Sequence, residues 1–131
     1  MRPIRVLLCF VALLAFATAS AFALEINVGP DTLVLSSNVR HITVHSDYPF
    51  KQVDRTQTKV EVYVDNELKV IEVDRQWANS IGNLMVRCSK KAVGDAVGDF
   101  DGAKKTVKLK LTVVPKEGTA VSASDTIVVK K

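Results

Sequence analysis

The chain of 131 residues is predicted to be all-β, an antiparallel sandwich of seven or eight short strands. Three observations predict this. Beyond residue 24, apolar residues recur with period two in segments rich in valine, isoleucine and threonine. Turn signals break these segments at intervals of roughly 8–15 residues. No stretch sustains the i, i+3, i+4 spacing of a long amphipathic helix. One face of each strand is apolar and the other polar, as when one side meets a core and the other meets water.

The elements follow in order. Residues 24–28 alternate and end at the turn Gly29, Pro30, Asp31; residues 32–36 form a second short piece. Residues 40–45 alternate with Ile42 and Val44 on one face, and the stretch 47–50, with Pro49 in it, breaks the strand. The clearest strand is 58–65: Val60, Val62 and Val64 point one way, Lys59, Glu61 and Tyr63 the other. Asp65, Asn66 and Glu67 make a hairpin turn into a strand over 68–74. A connection carrying Trp77 runs to the turn at 79–83, followed by a strand over 84–88. Residues 90–97 are the one place for a short helical turn, and 99–102 form a loop. Residues 106–114 alternate cleanly, with Val107, Leu109, Leu111 and Val113 inward and Lys108 and Lys110 outward. A turn at 116–119 precedes the last strand, 124–130.

The first 23 residues carry the three zones of a secretory leader: Arg2 and Arg5, an uncharged apolar run over 6–17, and small residues at Ala21 and Ala23 where signal peptidase reads. Cleavage is expected after Ala23, leaving residues 24–131 as one domain, secreted or periplasmic. The apolar run is shorter than the ~20 residues of a membrane span, so no span is expected after processing. Of 18 basic residues, losing Arg2 and Arg5 leaves 16 against 14 acidic. Such a weak balance argues against nucleic acid as partner, which favours a strong basic patch. Cys9 leaves with the leader, so Cys88 remains alone and no disulfide can form within the mature chain. Cys88 continues the alternation of Leu84 and Val86 and is expected in the core, where a thiol is inert.

Residues 42–50 before a valine-rich strand, then Gly82, Asn83, Leu84, Met85, Val86 and Arg87, then Ser124, Asp125, Thr126, Ile127, Val128 and Val129, resemble the small immunoglobulin-like modules of secreted bacterial proteins. The likeness spans most of residues 24–131 and rests on strand and turn motifs. It implies an immunoglobulin-like sandwich and a binding or structural module, without naming a ligand.

No catalytic constellation stands out, and no cofactor is expected. A Gly-x-Ser-x-Gly elbow is absent. His41 and His45 share a strand face about 13 Å apart, too far for one metal. Asp95, Asp99 and Asp101 invite a calcium reading but lack the EF-hand spacing and its closing glutamate; an ordinary solvated loop is the expectation. Trp77 and Tyr63 are the rings that a sugar would stack on, although a lone tryptophan more often plugs a core. Lys108 and Lys110 share the polar face of their strand, either as solvated surface or as contact with an anionic polymer. The expected function is an exported, non-enzymatic binding or structural module whose partner is an envelope or extracellular protein or polysaccharide. The alternative is a lectin-like carbohydrate binder using Trp77 and Tyr63.

Overall fold

The computed structural model describes residues 23–131; the expected leader, apart from Ala23, lies outside them. Among the described residues nine strands, one α-helix and two short 3-10 turns (Phe50–Gln52 and Arg55–Gln57) are formed: β1 (Ile26–Gly29), β2 (Thr32–Val34), β3 (His41–Pro49), β4 (Lys59–Val64), β5 (Glu67–Ile71), β6 (Arg75–Ala78), β7 (Asn83–Ser89), α1 (Lys90–Val97), β8 (Lys104–Val113) and β9 (Val121–Lys130). They make two sheets, ordered β1-β3-β7-β6 and β2-β9-β8-β4-β5. This is an immunoglobulin-like β-sandwich, with the first strand divided between the two sheets. All pairings are antiparallel except β2 with β9, which is parallel. After the corner at Pro30 the chain keeps its direction and joins the edge of the opposite sheet instead of folding back.

The inner faces carry the alternating residues. Val60, Val62 and Val64 on β4 and Val107, Leu109, Leu111 and Val113 on β8 are buried, and meet Ile42 and Val44 of β3 and Leu84, Val86 and Cys88 of β7 in one core cluster. At roughly 25 cal/mol per Å² of apolar area, this layer of branched side chains is the main support of the fold.

Three local outcomes differ from the alternation. β3 runs past residue 45 to Pro49, its register with β7 shifting between His45 and Pro49. The extension is held from within: Ser46, buried, donates its hydroxyl to the Leu84 carbonyl at 2.7 Å, and Tyr48 is buried in the core. β6 forms where a connection was expected, because Arg75, Gln76, Trp77 and Ala78 pair with β7 rather than follow a pattern of their own. The β4–β5 turn has two residues, Asp65 (φ 49°) and Asn66 (φ 67°); two successive left-handed residues make the type I′ turn that matches strand twist. The helix expected at 90–97 is present, with the Ser89 hydroxyl capping the Ala92 N–H at 3.0 Å and Val93 and Val97 turned into the core.

Candidate binding face

The outer face of the five-stranded sheet is built by cross-strand register. One row runs Leu68, Tyr63, Lys108, Thr126 across β5, β4, β8 and β9; the next runs Val70, Glu61, Lys110, Ser124. Residues directly opposite one another on a sheet face are in contact range. Three of the large side chains at the β4–β5 end stay open: Tyr63 is 42% exposed, Leu68 41% and Val70 64%. Single exposed apolar residues are ordinary; three grouped beside one another are not.

Charge on this face is one-sided. Lys108 is exposed and Lys110 half-buried. Glu61 is only 8% exposed, with Lys59 Nζ 3.7 Å from its Oε2. Among the described residues neither Lys108 nor Lys110 has an ion-pair partner.

Three of the four residues expected to bind are thus brought together: Tyr63, Lys108 and Lys110. Trp77 is not with them. It lies on the outer face of the other sheet, opposite Met85, which is itself opposite His45. The Arg75 guanidinium carbon sits 5.2 Å from the centre of a Trp77 ring. Trp77 is half-buried and outside the core cluster, so it is not a core plug, and a sugar site centred on Trp77 and Tyr63 together is not formed: the two rings are on opposite sheets. Beside Trp77, Asp74 Oδ2 accepts from Arg87 at 2.8 Å and lies 3.4 Å from His41 Nε2.

The acidic residues weighed for calcium lie on α1 and in the loop that follows it. Asp95 projects from α1 and pairs with Lys91 at 2.7 Å, while Asp99 and Asp101 follow in an exposed loop. Among the described residues no group of three histidines, cysteines or acids is placed to hold a metal ion.

Cys88 is fully buried and free. Burial, and secondly the negative charge of Asp74, push its thiol up to about 12. A thiol that stays protonated at neutral pH is not a nucleophile.

Leu68 and Val70 are the members of this face that the sequence reading did not single out. The available signal was that Leu68 and Val70 take one parity and Ile71 and Val73 the other, so one apolar set had to face out.

No protein-family model matches the chain, and no curated protein matches it. Among solved structures, it is similar to ACE19, the collagen-binding subdomain of the Enterococcus faecalis surface protein ACE. The identity is 9%, covering 81% of this chain and 96% of that one, at a TM-score of 0.24.

Proposed function

We propose that the chain is an exported, non-enzymatic binding module, secreted or periplasmic, whose binding face is the outer surface of the five-stranded sheet where β4 meets β5. The observation that carries this is the group Tyr63, Leu68 and Val70, open to solvent beside the unpaired Lys108 and Lys110. A partner offering apolar groups and negative charge would cover the first and match the second.

Export is supported by the composition of residues 1–23 and by the packing of the residues that follow Ala23. Leu24 is 7% exposed and part of the core, and the Glu25 N–H donates to Asp47 Oδ1 at 3.0 Å. Cleavage after Ala23 would release the packed domain without cutting into it. No helix among the described residues is long and apolar enough to cross a membrane.

The test is capture from the native envelope or medium with matched variants. Tyr63→Ser and Val70→Ser should each lose the partner, and Trp77→Ala should keep it. The reverse pattern would move the site to the four-stranded sheet. The carbohydrate reading rests on Trp77 lying outside the core with Arg75 beside its ring, and it predicts retention on a sugar array that Trp77→Ala abolishes.

A further inference from the structure

We propose that β5 is a docking edge, and that an extended polypeptide strand adds to the five-stranded sheet alongside Leu68 and Val70 with a carboxylate opposite Lys69. This deepens the reading of the β4–β5 corner as the binding face and rests on it.

The two sheets have four edges, β1, β6, β2 and β5. On β1 the outward N–H of Val28 is taken by Asp125 Oδ2 at 2.9 Å. β2 has three residues and β6 four, and Gln76 of β6 spends its side-chain amide on the Arg55 carbonyl. β5 is the longest edge, with five residues. In a hairpin with a two-residue turn, the flanking residues, here Val64 and Glu67, exchange both backbone bonds, and alternation then turns the N–H and C=O of Leu68 and Val70 away from β4. Among the described residues none of these four groups has a partner outside the ladder. An open row of backbone groups beside exposed apolar side chains is a template for another strand.

Charge selects the occupant. In a pairing of two copies that uses all four groups, Leu68 meets Val70 of the second copy and Lys69 lies directly opposite Lys69. Like charges facing each other across strands are destabilising, so the edge is guarded against its own copy. Lys69 is half-buried and, among the described residues, has no ion-pair partner. A carboxylate opposite it removes the conflict. Apolar side chains of the added strand, opposite Leu68 and Val70, would extend the rows that run through Lys108 and Lys110. Main-chain bonds supply affinity and these three contacts supply selectivity.

The probe is a capped heptapeptide, Ser-Thr-Val-Glu-Val-Thr-Ser, titrated to about 1 mM against the ¹⁵N-labelled mature chain. Expected are shifts centred on the Leu68 and Val70 amides. Replacing the peptide's Glu by Lys should weaken binding roughly fivefold to tenfold, N-methylation of its two valines should abolish it, and Lys69→Glu in the protein should reverse the Glu-over-Lys preference. Leu68→Pro removes only an outward N–H and should block binding; should that variant misfold, the N-methylated peptide carries the same test. No shift at Leu68 or Val70 overturns the proposal. So does an equal response to the Glu and Lys peptides, a concentration-dependent dimer that protects the Leu68 amide, or displacement of the peptide by an anionic polysaccharide. If the peptide fails while Tyr63→Ser still abolishes envelope capture, the strand falls and the face stands; if Tyr63→Ser has no effect on capture, the face itself falls.

Discussion

Asp125 Oδ2 accepts the backbone N–H of Val28 at 2.9 Å, joining residues 97 apart in sequence and belonging to different sheets. Asp125 sits on the core-facing side of β9, opposite Leu109, where an apolar residue would be expected. It is tolerated because β1 passes there and presents a donor with no partner in its own sheet. Asp125→Ala strands that N–H and should cost about 1–3 kcal/mol, measured by denaturant unfolding. Asp125→Asn keeps an acceptor and should cost less. Equal stability of Asp125→Ala and the parent would show that water satisfies Val28 equally well.

On β8 the two faces should respond oppositely. Leu109 and Leu111 are fully buried, so each change to alanine should cost about 2–5 kcal/mol. Lys108→Ala lies on the open face and should stay within about 0.5 kcal/mol. Thermal and urea unfolding of the three variants checks the register, because a one-residue slip would exchange the two outcomes.

Cys88 gives a pH signature. Its folded thiol is raised from 9.0 to about 12, so the folded state holds its proton after the unfolded state has lost it. The contribution is fully present below pH 9 and is lost as pH rises toward 12. Unfolding free energy should therefore fall more steeply across this range in the parent than in Cys88→Ala, whose difference curve removes the lysines and tyrosines common to both. A maleimide should label the native thiol slowly and the unfolded one quickly. Rapid labelling of native protein would contradict its burial.

Processing can be read by mass. Exported protein should begin at Leu24, and a chain starting at Ile26 should be less stable by about 1.5–3 kcal/mol for the lost burial of Leu24. A membrane-bound species beginning at Met1 would refute cleavage.

Legibility followed the source of each element's stability. β8 was readable because one face of alternating branched residues dictates both its existence and its phase, and the same held for β4. β6 was not, since Arg75, Gln76, Trp77 and Ala78 have no alternation and become a strand only by pairing with β7. The far half of β3 was hidden by Pro49, which ends most strands but here closes one whose hold comes from Ser46 and Tyr48 in the interior. Tyr63, Lys108 and Lys110 were named from local pattern. That they share a face without Trp77 depends on sheet order, which no local pattern encodes. The openness of Leu68 and Val70 likewise follows from β5 being an edge, a property of the assembled sheet.

The parallel pairing of β2 with β9 bears on how the domain would carry tension. Thr32, Leu33 and Val34 lie beside Val128, Val129 and Lys130 in the same direction. The pair is extended by the Val128 N–H to the Asp31 carbonyl at 2.9 Å and the Leu35 N–H to the Lys130 carbonyl at 2.8 Å. Pulling the chain from its two ends would slide these strands along each other, so the bonds would bear the load together instead of opening one at a time. A module held between two anchors would resist stretching through this short seam, and Leu33→Pro, which removes a donor on an edge strand, would be the variant to compare in a force-extension measurement.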